Sequence, residues 1–270
     1  MSSQFIDIGV NLTDRRFRDD LDEVRQRARQ AGVVAMVITG TSVDESRDAA
    51  TLAGQHRELV CTAGIHPHSA SQASASALDE IRQLAMAERV RAVGETGLDF
   101  NRDFSPRPDQ ERSFSAHLAL AAELGKPVFL HQRDAHQRFL PILREFRDQL
   151  SGAVVHCFTG NKRELFDYLD LDCHIGITGW ICDERRGLEL QSLVHNIPAG
   201  RLMIETDSPW LLPRDLPGKN RYKGRNEPAL LPWIASAIAR YRGEDPDKLA
   251  QHVWQASTLF FDITDAQLTS

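Results

Sequence analysis

Apolar positions along the 270-residue chain gather into eight short runs, at residues 5–12, 33–39, 59–65, 90–98, 127–131, 153–158, 173–180 and 202–206. They are rich in Val, Ile and Phe, and most are continuous rather than alternating, the pattern of strands buried on both faces of a parallel sheet. Between them lie stretches with helical periodicity. Residues 16–31 carry Phe17, Leu21, Val24 and Ala28 along one stripe, and Gly32 stops it. Residues 42–56 open on Ser, Asp and Glu, as a helix N-terminus should. Further helices are predicted over 77–88, 108–124, 135–150, 161–169 and 183–195, and two more, 228–241 and 246–261, close the chain. Eight strands in strict alternation with helices predict an α/β fold, a (β/α)8 TIM barrel, rather than an open doubly wound sheet. The first turn, Gly9-Val10-Asn11-Leu12-Thr13, has none of the glycine spacing of a dinucleotide or phosphate loop. The barrel is expected to form one domain over 1–270.

Composition narrows the class. The formal net charge is -6, so contact with nucleic acid would rest on a local patch or a metal, not on an overall basic field. The four cysteines form no CxxC pair and read as reduced core residues. No run is long enough to cross a bilayer and no secretory leader opens the chain, so a cytoplasmic protein is expected. Nothing demands more than a monomer.

The chemistry collects at one end of the strands, where such barrels carry their active sites. The run at 90–98 delivers Glu95 between Gly94 and Gly97, at what reads as the strand's end, with a second carboxylate, Asp99, in the following loop. Other runs end on Asn11, His66, His131, His156 and Asp207. Imidazoles and carboxylates buried together are costly without a shared partner, and a cation supplies one. Glu95, His131, His156 and Asp207 are therefore the candidate metal ligands. His66 is a metal or substrate ligand, and His68, His117 and His136 read as structural or surface residues. Two imidazoles with two carboxylates suit Zn, Mn, Fe, Co or, less comfortably, Mg. Such a site activates water and polarises a phosphoryl or carbonyl group. Asp207 reads as ligand, general base or both, and Glu95 joins it as a catalytic residue. Glu205, two residues earlier, points the same way as Asp207 if the strand continues, and would orient a ligand histidine. The loop after the eighth run is a local basic exception. Lys219, Arg221, Lys223 and Arg225 are phosphate candidates, with Arg133 and Lys162 after the fifth and sixth runs. Tyr222 is placed to stack on a base.

Five motifs in order resemble the TatD family of metal-dependent deoxyribonucleases, within the amidohydrolase-like barrels. They are Gly64-Ile65-His66-Pro67, Gly94-Glu95-Thr96-Gly97-Leu98-Asp99, Leu130-His131 with Arg133-Asp134-Ala135, His156-Cys157-Phe158-Thr159-Gly160, and Glu205-Thr206-Asp207-Ser208-Pro209-Trp210-Leu211. Gly9 and Asn11 stand where most of the family carries His-x-His, so the metal position served by those histidines is expected to be weakened or lost. The resemblance implies a magnesium-dependent 3′-5′ exonuclease acting on single-stranded DNA and RNA, with a role in repair of oxidatively damaged DNA. An amidase or lactonase on the same barrel, or a non-catalytic metal-binding relative, are the competing readings.

Overall fold

The computed structural model describes residues 3–264. Its eight strands are β1 (Phe5–Val10), β2 (Val33–Ile38), β3 (Leu59–Ala63), β4 (Val90–Asp99), β5 (Val128–Arg133), β6 (Ala153–Val155), β7 (His174–Ile177) and β8 (Leu202–Ile204). They follow one another in chain order through a single eight-stranded sheet. Helices α1 (Leu21–Gln30), α2 (Val43–Gln55), α3 (Ala75–Ala85), α4 (Arg107–Leu124), α5 (His136–Phe146), α6 (Lys162–Asp170) and α7 (Leu188–Leu193) alternate with the strands. Helices α8 (Leu231–Arg242) and α9 (Pro246–Phe260) follow. This is the (β/α)8 barrel fold that the periodicity predicts. Among the described residues, no helix is long and apolar enough to cross a membrane.

By its contacts the chain groups into two compact units. One comprises residues up to Ile38, Cys157–Lys162 and the chain from Ile175 onward. Here β1 pairs with β2, and β7 with β8, all parallel, and a bridge joins Val10 to Ser208. The other comprises Thr39–His156 and Arg163–His174. In it β3, β4, β5 and β6 pair in sequence.

Helix boundaries follow local chemistry. The side chains of Ser42 and Ser74 accept the amides of Glu45 and Ala77, capping α2 and α3. Gly125, left-handed at φ 64°, ends α4. Two helices start five residues later than the periodicity predicts. α1 starts at Leu21 rather than 16, because the Asp14 carboxylate takes the Arg16 amide and side chain into a local turn. α7 covers only Leu188–Leu193, because buried Asp183 accepts the amides of Arg185 and Arg186 and holds that stretch as a loop.

Strand ends differ in a way that matters for the site. β4 does not end at Glu95. After an irregularity in register between Val93 and Thr96 it runs on, pairing Gly97 with His131 and Asp99 with Arg133. Glu95, Gly97 and Asp99 thus alternate along one strand. β6 and β8 stop earlier than their apolar runs. Beyond those ends Cys157 and Asp207 have φ of 46° and 52°, values that no extended strand can hold.

Candidate metal centre

The centre is assembled on β3, β4, β5 and β6, all in one unit. Glu95 is 6% exposed, and its amide donates to the Gly40 carbonyl at 2.7 Å. Three imidazole nitrogens converge on its Oε1: His156 Nε2 at 2.8 Å, His131 Nδ1 at 2.9 Å and His66 Nε2 at 3.2 Å. Ligand atoms of His66, Glu95 and His131 lie within 4.8 Å of one another, close enough to hold a metal ion. Burial alone would raise the Glu95 carboxyl. The His156 and His66 rings, with bonds from His131 and His156, instead hold it well below the usual range.

The outer partners decide how each ring faces the centre. Asp99 is 1% exposed, and its Oδ2 lies 3.3 Å from His131 Nε2 and 2.8 Å from His68 Nε2. A proton on His131 Nε2 bonds Asp99, which turns Nδ1 towards the centre. This carboxylate–imidazole pairing is the one that orients metal-binding histidines. Burial opposes charge on His131, but the two carboxylates win and raise its pKa. His66 differs. Burial pushes it down to about 4, so it is neutral. Its Nδ1 accepts the His68 amide at 3.1 Å, so its single proton sits on Nε2 and points at Glu95. His66 is therefore arranged as a hydrogen-bond donor at this centre. Its loop is clamped from below: buried His117 accepts the Ile65 amide on Nε2 and bonds the Ser113 carbonyl through Nδ1. The donor set of His66, Glu95 and His131 fits a divalent cation, with His156 against the same carboxylate oxygen.

Asp207 and Asn11 lie in the other unit, where Asn11 Nδ2 donates to Asp207 Oδ1 at 3.2 Å and to the Ser208 carbonyl at 3.3 Å. Asn11 thus props Asp207. Glu205 does not share Asp207's course, because β8 ends at Ile204. Its Oε1 accepts the amide of Cys157, the residue after His156, at 2.5 Å, so it fixes the backbone beside a site histidine. Asp7 on β1 is fully buried and accepts the Thr206 amide and hydroxyl, at 2.9 and 2.5 Å. Burial pushes its carboxyl up to about 8 against those bonds. The folded state therefore holds a proton that the unfolded chain releases near pH 4. Stability conferred by this group is complete below that pH and is lost as pH rises towards about 8. Melting temperatures measured from pH 5 to 8 should fall less steeply in Asp7→Asn than in the wild type.

The basic loop divides. Arg225 is not open to phosphate: its guanidinium bonds Asp20 twice at 2.7 Å, Glu227 at 2.8 Å and the Arg16 carbonyl. Arg27 joins the same acidic pair. Lys219 bonds the Arg214 carbonyl, and Arg221 lies 4.9 Å over the Tyr222 ring and bonds its hydroxyl. Lys219, Arg221, Lys223, Arg133 and Lys162 are exposed. His136, read as structural or surface, is held between Tyr168 and Asp167. The sequence left two site residues without a role: Asp99, placed in a loop, and His68, set aside as structural. The even spacing of 95, 97 and 99 was the signal for Asp99, since a continuing strand puts all three on one face.

The barrel fold and the carboxylate–imidazole cluster together define a (β/α)8 barrel with a candidate catalytic centre. Residues 6–262 match the TatD-related DNase family model, and the chain belongs to that family of hydrolytic nucleases. It is 53% identical over 255 residues to the 3′-5′ ssDNA/RNA exonuclease TatD of Klebsiella pneumoniae, covering 94% of this chain and 97% of the relative. Among solved structures, a TatD homologue from Escherichia coli K12 superposes with a TM-score of 0.90 at 26% identity, over 98% of this chain and all of the other. An uncharacterised amidohydrolase from Saccharomyces cerevisiae shares the fold, with a TM-score of 0.84 at 23% identity, over 96% of this chain and 99% of the other.

Proposed function

We propose that this chain is a metal-dependent 3′-5′ exonuclease acting on single-stranded DNA and RNA, working as a cytoplasmic monomer with one catalytic domain. The observation that carries the metal dependence is the convergence of three imidazole nitrogens on Glu95 Oε1. The substrate and polarity rest on the named activity of its curated relative. Glu95, His131 and His156 hold the ion, and Asp207 serves as a further ligand or as the general base. A bound divalent cation would supply Lewis acidity towards a phosphoryl oxygen and lower the pKa of water. Mg²⁺ is the proposed ion, because it accepts phosphate and water oxygens readily; Mn²⁺ and Zn²⁺ suit the imidazoles. His66 Nε2–H donates to a phosphoryl oxygen, and Asp99 keeps His131 turned inward. The repair of oxidatively damaged DNA is the proposed setting.

The test uses metal-stripped protein and single-stranded DNA labelled at its 5′ end. Adding Mg²⁺ should produce a ladder that shortens stepwise from the 3′ end. Internal cuts, or no cleavage with Mg²⁺, Mn²⁺ or Zn²⁺, would refute the proposal. The same assay sorts the cations. Losing one phosphate contact should lower the slope of log affinity against log salt by about 0.7 for a single strand. Lys223→Ala and Arg133→Ala should each do so. Arg225→Ala should leave the slope unchanged and lower the melting temperature, since it empties a clamp between two carboxylates.

A further inference from the structure

Phe104 is 66% exposed, although it sits in one of the most tightly held loops of its unit. The loop joins β4 to α4. Ser105 Oγ donates to the His68 carbonyl at 2.9 Å and accepts the Ser71 amide at 3.1 Å. Fully buried Gln110 spans the loop: Oε1 accepts the Asp99 amide at 2.8 Å, and Nε2 donates to the Ser105 carbonyl at 2.8 Å. On the outer side Arg107 pairs twice with Asp103, at 3.0 and 2.7 Å, and covers the Phe100 ring at 4.3 Å. A large apolar ring is thus held out in water by a scaffold with little freedom to withdraw it. Exposed apolar residues are common singly; this one is set apart by what it touches.

The Phe104 ring meets His68 edge to face, with centroids 4.7 Å apart. His68 bonds Asp99, and the same Asp99 oxygen lies 3.3 Å from His131. Phe104 is therefore joined to the metal centre through two side chains, all in one unit. Exposed cations lie on the same loop and on the strand paired with β4. The Arg102 amide donates to Asp99 Oδ1 at 2.8 Å, and Arg133 pairs with Asp99 across the strands; both side chains face solvent. Exposed aromatic rings together with cations are how proteins hold single-stranded nucleic acid without reading its sequence.

We propose that Phe104 is a stacking platform for a nucleobase of the single strand, next to the phosphodiester at the metal centre. This rests on the nuclease reading and adds to it a subsite for the base. Stacking uses the flat face that every base offers and ignores the 2′-hydroxyl, so one platform serves DNA and RNA alike. A base paired and stacked within a duplex does not present that face, so the platform favours frayed or single-stranded ends.

Two measurements test it on the full-length protein. The first is digestion of an oligothymidylate and of the same strand ending in an abasic nucleotide. Phe104→Ala should raise KM about tenfold or more on the first substrate and leave kcat little changed, while Phe104→Trp keeps KM low. On the abasic strand, wild type and Phe104→Ala should converge. The second is fluorescence anisotropy of a labelled oligothymidylate without added metal, where Phe104→Ala should weaken binding by the same factor. If the wild type digests the strand and Phe104→Ala matches it in both measurements, the platform is wrong and the nuclease reading stands. If the wild type cuts nothing, the nuclease reading fails and anisotropy alone decides: weaker binding by the variant upholds the platform, equal or absent binding overturns it.

Discussion

Glu95→Ala is expected to lower strand digestion by at least about a hundredfold, since loss of mere outer-sphere support already costs ten- to a hundredfold. The carboxylate is the common point of the cluster: the His131 ring on β5 and the His66 and His156 rings just past β3 and β6 end on one of its oxygens. Removing it takes away the negative charge that a cation needs, and leaves three imidazoles facing one another in a buried space. Glu95→Gln keeps the volume and should lose nearly as much, because an amide has neither the charge nor two acceptor oxygens. Activity alone would not separate loss of the ion from loss of chemistry, so metal-induced stabilisation is the second readout. A ligand present at a hundred times its Kd stabilises the folded state by about 2.7 kcal/mol. The wild type should melt higher when Mg²⁺ or Mn²⁺ is added, and neither variant should respond. A variant that retains both the shift and the activity would remove Glu95 from the centre.

The largest effect on folding is expected at Gly97. It has φ of 140°, and a Cβ placed there would overlap the carbonyl oxygen of His131, its partner across the sheet. Neither side can yield cheaply, since both are backbone in paired strands and His131 is a site residue. Gly97→Ala should destabilise the protein by about 3 kcal/mol or more, combining backbone strain with a steric clash. Gly54 provides the contrast. It lies exposed in α2, with nothing within 4 Å of a built Cβ, and alanine there should stabilise by about 0.5–1 kcal/mol through helix propensity. Urea melts of the two variants should therefore move in opposite directions. Equal stability for Gly97→Ala and wild type would show that β4 does not need the close approach described here.

The strand count, the helix order and the gathering of His and Glu at strand ends were all legible in the sequence. Continuous apolar runs report burial on both faces, and burial is what a barrel strand demands. Less legible was where each strand stopped. β4 continues past Glu95 because glycines at 94 and 97 permit φ values that no other residue holds easily, whereas the runs around β6 and β8 extend beyond the end of the ladder. Side chains recruited from far along the chain were also hidden. Arg225 read as a free cation because its partners, Asp20 and Glu227, meet it only through folding. His68 read as structural because nothing in a His-Pro-His triplet announces a carboxylate 31 residues later. His66, fixed as a proton donor by the amide of His68, needed the geometry of the 3₁₀ turn that follows it.

The most direct test of the account is anomalous diffraction from crystals of this protein soaked in Mn²⁺, recorded near the manganese edge. The account predicts a peak within coordination distance of Glu95, His131 and His156, and its disappearance in Glu95→Ala. A peak elsewhere in crystals of protein that digests single strands with Mn²⁺, with none at Glu95, would contradict it.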